Sequence, residues 1–320
     1  MTHKDQDDAK ADPARIVEAL KTVAGDPPGV RASFAKGWCV TGAYHPSPRA
    51  HEVTCSPSFT NACEVLARFS VGGGLPAVAD TNALVLRGLS LRLTGDGSRS
   101  DLLVENAPVH FARTLDQMLA FLRARAPGAD GKPDPERVRT FSEANPETLN
   151  QARYIAARPL PGSFAGVAYW GVHAFPVTNA AGVSRFVKFK LAPVAGEIGL
   201  SEDEARALPP DFLRADLERR FQAGGVGFDI LALLDRPGDP VLDVTTRWPD
   251  EDEREAVPLG RVTISQFADQ AACDQAIFNP GVLADGVGHP PDEMFAARLE
   301  AYVISLARRR REGSAARAPD

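Results

Sequence analysis

The chain has 320 residues, of which 44% are hydrophobic and 24% charged, and a formal net charge of -6. This composition supports a sizeable folded core, and its acidic balance gives no general electrostatic footprint for binding nucleic acid. No uninterrupted apolar run approaches the roughly 18–20 residues that span a bilayer, and the N-terminus lacks the apolar segment of a signal peptide, so we expect a cytoplasmic protein without a membrane partner.

The cysteines, Cys39, Cys55, Cys63 and Cys273, form no CxxC pair and no histidine–cysteine spacing typical of a metal site. The chain is also far longer than the small secreted domains that depend on disulfides. We therefore expect reduced thiols.

The first part of the chain combines one short helix signal with several strand signals. Apolar residues recur at helical spacing between residues 16 and 23, and a Gly-Asp-Pro-Pro segment at 25–28 ends this pattern. Strand-like runs follow at 38–44, 65–71, 83–93 and 102–109. Capping-box spacing after Thr114 predicts a helix over 115–125, and a further helix is predicted over 147–157.

The second part of the chain returns to strands. Runs at 164–177 and 185–191 flank a turn signal at 179–182 and predict a hairpin. Ser201 and Glu204 have capping-box spacing and predict another helix. Closing strands are predicted at 228–234, 241–246 and 257–264. This order favours an α+β fold in which helices pack around an antiparallel β-barrel.

The last predicted helix begins at Pro291 and runs to about residue 311. It carries Arg298 and Tyr302 four residues apart, which places both side chains on one face. The apolar residues assigned to that face are Met294, Phe295, Leu299, Val303 and Leu306. The pair fits a core tyrosine beside a structural cation, but a neighbouring guanidinium also favours tyrosinate, an oxygen donor suited to ferric iron.

Four consecutive arginines, at 308–311, follow in the same helix. Cations suit the dipole at the C-terminal end of a helix. We interpret the run as a solvated helix end.

Several segments resemble haem catalases, and they occur in the order of that family. The region of the last helix matches through Phe278-Asn279-Pro280, Gly286, Pro291-Asp292, Met294, Arg298-Leu299 and Tyr302. Earlier matching segments are Arg31–Gly37, Arg68–Ser70, Val104–Val109, Gly171–Phe175 and Asp243–Pro249. The short chain resembles the catalase-related peroxidase branch of the family.

The resemblance implies one catalase-like haem domain over residues 29–311, with an antiparallel β-barrel core and surrounding helices. Residues 1–28 then form an N-terminal helical arm, and residues 312–320 form a disordered tail. The resemblance also implies a ferric haem cofactor, a small-molecule substrate and assembly as a homo-oligomer.

On the proximal side of the haem, the resemblance makes Tyr302 the iron ligand and Arg298 its charge partner. His173 and Asp292 match residues that continue this relay, in which a carboxylate orients an imidazole that in turn orients the partner of the ligand. The simpler interpretation of His173 is a hydrogen-bonded strand histidine.

Two arginines, Arg31 and Arg68, match residues that approach the haem propionates in the family. A guanidinium suits this task because it pairs bidentately with carboxylates. The simpler interpretation of each is a surface salt bridge. Arg308 is a further candidate for the same role.

On the distal side, the sequence departs from the family. Phe34 stands where haem catalases have the histidine that takes a proton from hydrogen peroxide and returns it to the leaving oxygen. Phenylalanine cannot carry a proton, and loss of a general acid–base group costs roughly 10²- to 10⁴-fold in rate. We therefore expect weak or absent catalase activity.

Three nearby residues are candidates for the missing function. His110 replaces an aromatic residue of the family. It either supplies an imidazole from the opposite wall, or is a core histidine bonded to a carbonyl while Phe34 forms an apolar pocket. Asn106 is taken as the distal asparagine, two residues before Pro108. Glu105, three residues before Pro108, is the alternative acid–base group.

These features favour a haem-dependent oxidoreductase that uses hydrogen peroxide or an organic hydroperoxide to oxidise a small organic molecule. The alternative is a haem-dependent lyase, isomerase or dehydratase that acts on an organic hydroperoxide or an N–O substrate without external oxidant. A non-catalytic haem-binding protein is a third hypothesis, and the complete proximal set argues against it.

Overall fold

The computed structural model of the protein describes residues 10–315. The strands are β1 (Lys36–Pro46), β2 (Cys63–Val71), β3 (Arg87–Gly95), β4 (Ser98–Glu105), β5 (Leu160–Pro161), β6 (Tyr169–Trp170), β7 (Phe175–Thr178), β8 (Ser184–Pro193), β9 (Gly199–Leu200), β10 (Val226–Leu234) and β11 (Ala256–Phe267). The α-helices are α1 (Pro13–Val23), α2 (Ala50–Val53), α3 (Pro57–Thr60), α4 (Leu115–Arg125), α5 (Pro135–Ala144), α6 (Asn150–Ala156), α7 (Glu202–Ala207), α8 (Phe212–Gln222), α9 (Gln270–Gln275) and α10 (Glu293–Ala315). Short 3-10 helices span Pro146–Leu149 and Phe164–Gly166.

Eight of these strands close into an antiparallel barrel. They pair in the order β10-β11-β1-β2-β3-β4-β6-β8, and β8 pairs back to β10 to complete the ring. Closure leaves no free edge along this ring, while β7 adds to β8 beside β6. The predicted α+β architecture, a β-barrel surrounded by helices, is therefore confirmed.

Alternating residues of the strands fill the barrel interior. Val40, Ala67, Phe69, Leu89 and Leu91 are each at most 1% exposed. Period-two alternation places these side chains on one face of the sheet and their sequence neighbours on the other. Burying one large apolar side chain of this kind contributes about 1.5–3 kcal/mol, so the interior holds the barrel together.

Several predicted elements are confirmed closely. α4 covers the predicted range 115–125, and the Oγ1 of its N-cap Thr114 accepts a hydrogen bond from Gln117 N at 3.2 Å. α7 begins after Ser201 with the reciprocal hydrogen bonds of a capping box. The 3-10 helix at Pro146–Leu149 and α6 together cover the helix predicted over 147–157.

Other predicted elements are wrong in part. The strand expected at 241–246 is a turn, because the Asp243 carboxylate accepts hydrogen bonds from Thr245 N at 2.9 Å and Thr245 Oγ1 at 2.6 Å. The run at 164–177 divides into a 3-10 helix, β6 and β7. β4 ends at Glu105 rather than at residue 109. α5 has few apolar residues, buries none of its side chains and was not predicted.

The C-terminal helix is longer than expected. α10 runs to Ala315, and Glu312 accepts hydrogen bonds from Arg308 Nε at 2.6 Å and from Gly29 N at 2.7 Å. A disordered tail beginning at residue 312 is therefore wrong for residues 312–315, and residues 316–320 lie outside the described part of the chain. Residues 1–9 of the expected arm also lie outside it, and α1 contacts α4 and α10. The division into arm, haem domain and tail stays a prediction.

The run of arginines is a solvated helix end only in part, because Arg310 and Arg311 are exposed whereas Arg308 and Arg309 are half-buried. Arg308 donates to Glu18, to Asp26 at 2.8 Å and to Glu312 at 2.6 Å, and so ties α10 to the region of α1. Arg309 donates to the backbone oxygens of Asp274 at 2.7 Å and Ala276 at 3.3 Å. Arg308 and Arg309 make these contacts because α10 lies against the region of α1 and against α9.

The expectation of reduced thiols is wrong for one pair. Cys39 of β1 and Cys273 of α9 form a disulfide across 234 residues of sequence, whereas Cys55 and Cys63 are free. Among the helices of the described residues, none combines the length and the apolar character needed to cross a membrane.

Candidate active site

A chain of four buried or half-buried polar side chains begins at the N-terminus of α10. Asp292 Oδ1 accepts a hydrogen bond from Phe295 N at 2.8 Å, which caps the helix, and its Oδ2 lies 2.9 Å from His173 Nδ1. On the far side of the imidazole, Arg298 Nη1 donates to His173 Nε2 at 2.7 Å. Arg298 Nη2 donates to Tyr302 Oη at 3.0 Å. The structure therefore brings together all four residues predicted for the proximal relay.

The protonation of this chain follows from its hydrogen bonds. The Asp292 carboxylate holds the proton of His173 on Nδ1, so Nε2 presents its lone pair to the guanidinium. Burial lowers the pKa of His173, although Asp292 opposes this, and the imidazole is neutral near pH 7. Burial, the largest single influence, favours a neutral Asp292, but the interaction with His173, the hydrogen bond from Phe295 N and the charge of Arg298 together outweigh it and hold the pKa of Asp292 below its usual range.

Arg298 completes the chain as a permanent cation. Burial alone would lower its pKa, but the adjacent Tyr302 oxygen, Glu105 and Asp292 raise the pKa of Arg298 overall. The guanidinium therefore lies as a fixed positive charge beside the phenol oxygen of Tyr302. The expected apolar background is only partly present, because Met294 and Phe295 are buried but Val303 is 52% exposed.

A cluster of arginines lies beside the start of β1. Arg68 of β2 is 5% exposed and donates to Phe34 O at 3.0 Å and to Ala35 O at 3.1 Å. A Cβ at Gly37 would lie 2.7 Å from the Arg68 Cζ atom, so this position requires glycine. Arg31 Nη1 donates to Asp274 Oδ1 at 2.8 Å.

The charges of this cluster are only partly balanced. Burial lowers the pKa of Arg68 to about 9, and the charges of Arg31 and Arg309 act in the same direction against that of Asp274. Burial and Arg31 likewise lower the pKa of Arg309 to about 10. Among the described residues, the mutual repulsion of these three guanidiniums is opposed by the carboxylate of Asp274. The excess positive charge fits an anionic group that carries carboxylates.

Sequence reasoning missed Arg309 and proposed Arg308. Arg309 lies seven residues after Tyr302, about two helical turns, and therefore shares the face that carries Tyr302 and Arg298. Arg308 points instead to Glu18 and Asp26. The i+7 spacing was the available signal.

Phe34 lies against the outer face of the barrel. Ser70 pairs with Gly88 and Gly88 pairs with Glu105, so these three positions form a row on one face of the sheet. The neighbouring position Phe69 points into the core, which places the row outside. A Cβ at Gly88 would lie 2.9 Å from the Phe34 ring and 2.8 Å from Ser70 Oγ. Phe34 and Glu105 therefore flank the same glycine.

The backbone at Phe34 is strained. Its φ of 51° is in the left-handed region, which a bulky residue rarely adopts. The two hydrogen bonds from Arg68 to the carbonyls of Phe34 and Ala35 hold this conformation. Strain retained in this way is typical of functional positions.

Glu105 has an environment suited to proton transfer. Its Oε1 accepts a hydrogen bond from Gln151 Nε2 at 2.7 Å. Burial raises the pKa of Glu105 to about 7, against the opposing charge of Arg298 and the hydrogen bond from Gln151. Gln151 itself was missed, because nothing in its sequence neighbourhood marks it.

Asn106 forms hydrogen bonds with the backbone of Arg87 at the start of β3. Its Oδ1 accepts a hydrogen bond from Arg87 N at 2.7 Å, and its own N donates to Arg87 O at 2.9 Å. These bonds terminate the β3–β4 ladder. The structure thus places Glu105, rather than Asn106, in the row beside Phe34.

His110 is engaged with the backbone of its own loop. Its Nδ1 lies 2.8 Å from Ala112 O and 3.2 Å from Ala112 N, so this nitrogen has a partner in either tautomer. The ring also packs on Phe111, with 4.2 Å between centroids. Burial lowers the pKa of His110 to about 4.

Fold and site together define a β-barrel protein with a tyrosine–arginine relay on its last helix, and comparison with known proteins agrees. The catalase family matches residues 16–317, and the chain belongs to this family. It is 33% identical to a catalase-related peroxidase of Synechococcus elongatus over 93% of this chain and 89% of the relative. It is 30% identical to a catalase-related peroxidase of Mycolicibacterium paratuberculosis over 96% and 97% of the two chains.

Solved structures share the fold. A bacterial catalase superposes with a TM-score of 0.78 at 24% identity, covering 92% of this chain and 60% of that one. Catalase A from Saccharomyces cerevisiae superposes with a TM-score of 0.79 at 20% identity, covering 92% and 64%. The chain spans about three fifths of the length of these catalases. Family membership makes the protein an enzyme of the catalase or catalase-related peroxidase type, for which a haem cofactor is implied.

Proposed function

We propose that this protein is a haem-dependent peroxidase that uses hydrogen peroxide or an organic hydroperoxide to oxidise a small organic molecule, with weak or absent catalase activity. The observation that carries the proposal is the row on the outer face of the barrel. There the ring of Phe34, which we take to stand in place of the catalase histidine, rests against Gly88, and Glu105, with a pKa raised to about 7 by burial, lies beside the same glycine on the next strand.

The donor set fits a haem. Tyr302 would provide an oxygen ligand to the iron, with Arg298, His173 and Asp292 fixing its orientation and charge. Arg31, Arg68 and Arg309 would bind the propionates, since their excess charge calls for carboxylates. When bound, the haem supplies the iron redox chemistry through which the oxidising equivalents of peroxide reach a substrate.

Glu105 is the proposed acid–base residue. A carboxylate can take a proton from the incoming peroxide oxygen and return it to the leaving oxygen, and this transfer is most effective when the pKa of the group lies near the working pH. A pKa of about 7 meets that condition, whereas the pKa of His110, lowered by burial to about 4, makes its imidazole a weak base.

Phe34 is the proposed selectivity element. In this proposal Phe34 stands where catalases have an imidazole. Its ring offers an apolar surface above Gly88 and Ser70. An apolar wall excludes water and favours an organic substrate over a second molecule of hydrogen peroxide.

The same apolar ring supports a second candidate, a haem-dependent lyase, isomerase or dehydratase acting on an organic hydroperoxide or an N–O substrate. The two functions differ in whether turnover consumes added oxidant. Tyrosinate ligation and the ferric state are part of both proposals.

The test is a paired assay on the haem-loaded protein. Oxidation of a chromogenic aromatic amine is followed by absorbance with hydrogen peroxide or cumene hydroperoxide, while an oxygen electrode follows dismutation. Dye oxidation with little oxygen release is the expected result. Rapid oxygen release would contradict the proposed role of Phe34. Rearrangement of cumene hydroperoxide in the absence of any donor would favour the second candidate.

A further inference from the structure

Gln151 forms a hydrogen-bonded bridge between β4 and the loop after it. It is the second residue of α6 and is 8% exposed. Its Nε2 donates to Glu105 Oε1 at 2.7 Å and to Val109 O at 2.8 Å. One buried amide group therefore connects the end of β4 to the loop that follows it.

The orientation of this amide is determined by Val109. A backbone carbonyl can only accept hydrogen bonds, so the NH₂ end of Gln151 must face it in every protonation state of Glu105. The second N–H of the same nitrogen then points to Glu105 Oε1. With its two hydrogens committed, Gln151 acts on Glu105 as a donor only.

The other carboxyl oxygen of Glu105 has no such partner. Among residues 10–315, no hydrogen bond is made to Oε2. The neighbours of Glu105 on adjacent strands, Gly88 and Trp170, are uncharged, and the cation acting on it is Arg298 of α10. Proton exchange is thereby directed to one oxygen.

We propose that Gln151 is a positioning residue that binds Glu105 through Oε1 and leaves Oε2 as the oxygen that takes and returns the proton. This inference rests on the proposed role of Glu105 as the acid–base group. It adds that the amide, anchored on Val109 O, sets both the orientation of the carboxyl group and its affinity for the proton.

A donor to a carboxylate stabilises the charged form, so removing it makes the carboxyl group easier to protonate. Gln151→Leu deletes the donor at nearly constant volume. Gln151→Glu replaces it with a second carboxyl group, and two carboxyl groups that share one site repel each other when both are ionised. The proton affinity of Glu105 should therefore rise in the order wild type, Gln151→Leu, Gln151→Glu.

The test is a pH titration of the carboxyl C=O band in the infrared difference spectrum of the haem-loaded protein. Glu105→Gln assigns the band by removing it. In Gln151→Leu the midpoint should move upward by about 1 pH unit, the effect expected for one lost hydrogen bond to a charged group. Asn150→Leu is the matched control, because Asn150 donates to Thr245 O at 3.0 Å and not to Glu105.

Folding of each variant is checked by circular dichroism, and Gln151→Glu, which keeps a polar side chain, carries the test if Gln151→Leu does not fold. An unmoved midpoint in a folded Gln151 variant would overturn the inference. A wild-type protein that titrates as described but oxidises no dye with peroxide would overturn the proposed function instead, so the two failures are distinguishable. In the pH dependence of dye oxidation, the midpoint should move in parallel with the infrared band.

Discussion

Tyr302 belongs to a chain of hydrogen-bonded side chains in the candidate site, whereas Phe34 makes no polar side-chain contact there. At Tyr302 the phenol oxygen is connected through Arg298 and His173 to the Asp292 carboxylate, so a change at any member disturbs the next. At Phe34 the ring rests on a glycine and carries no polar atom.

Phe34→His should increase oxygen release from hydrogen peroxide. The imidazole would take the place of the ring above Gly88 and Ser70 and supply a proton acceptor there. We expect a gain on the order of 10²-fold, the low end for an acid–base group, measured with an oxygen electrode. Phe34→Leu is the control and should show no gain. Equal oxygen release by the histidine variant and wild type would argue that Phe34 does not limit dismutation.

Tyr302→Phe should abolish normal haem loading, because it deletes the phenol oxygen that is the proposed iron ligand and that accepts a hydrogen bond from Arg298 Nη2, while leaving the packing nearly unchanged. The measurement is the Soret band of the purified protein relative to its absorbance at 280 nm. Tyr154→Phe, a tyrosine of α6 that packs with Arg158, is the control and should load haem normally. An unchanged Soret band in Tyr302→Phe would refute its assignment as the ligand.

Glu105→Gln should slow peroxide-dependent dye oxidation by roughly 10²- to 10⁴-fold. Because burial raises the pKa of Glu105 to about 7, the wild-type rate should rise with pH around that value as the carboxylate forms, and the variant should lose this rise. Stopped-flow rates between pH 5 and 9 provide the test, with the exposed Glu64→Gln as control. A wild-type rate that is flat across this range would exclude Glu105 as the base.

The stability of the protein should depend on pH through Glu105. Its pKa is raised on folding, so the contribution of Glu105 to stability is fully present below the ordinary glutamate pKa and is lost as the pH rises through about 7. Glu105→Gln should therefore gain stability relative to wild type as the pH increases. Urea unfolding at pH 5 and pH 8 measures the difference. A larger relative gain at pH 5 would contradict the direction of the shift.

At the scale of elements, the candidate site is built where three strands and two helices meet. The strands β2, β3 and β4 present the row beside Phe34, α10 presents the relay, and α9 carries the carboxylate that pairs with Arg31. The disulfide between Cys39 and Cys273 joins α9 to β1. This covalent connection fixes the position of Asp274, the next residue after Cys273.

Removing that disulfide should loosen the arginine cluster. For Cys39→Ser with Cys273→Ser we expect a loss on the order of 2–4 kcal/mol in the free energy of unfolding, and faster haem loss to apomyoglobin. Cys55→Ser, at an exposed free cysteine, is the control. Thiol titration of the denatured, unreduced wild type should find only Cys55 and Cys63. Detection of all the cysteines as thiols would contradict the disulfide.

At the scale of the whole molecule, barrel closure decides which residues meet. Pairing of β8 with β10 completes the ring, and the outer face of that ring then becomes one wall of the site. Membership of the catalase family agrees with this arrangement over nearly the whole described chain. Assembly as a homo-oligomer stays a prediction, which light scattering coupled to size-exclusion chromatography would test.

Much of the molecule could be predicted from local patterns. The bounds of α4, the capping box of α7 and most barrel strands follow from hydrophobic periodicity and capping chemistry, which act over a few residues. The strand expected at 241–246 failed because the Asp243 carboxylate competes for backbone donors, and α5 was missed because it buries no residue. Such outcomes depend on contacts that periodicity does not encode.

The sequence by itself determined the fold class and the order of the catalase-like segments, and it singled out the four side chains that the structure joins by hydrogen bonds. These are properties of residue identity, order and helical spacing. The exchange of histidine for Phe34 stays a prediction. Only the tertiary structure decided that Glu105 rather than Asn106 lies beside Phe34, that Arg309 rather than Arg308 joins Arg31 and Arg68, and that Gln151 holds Glu105. The reason is that strand register, helix rotation and burial, and hence the proton affinity of a carboxyl group, exist only once distant segments pack together.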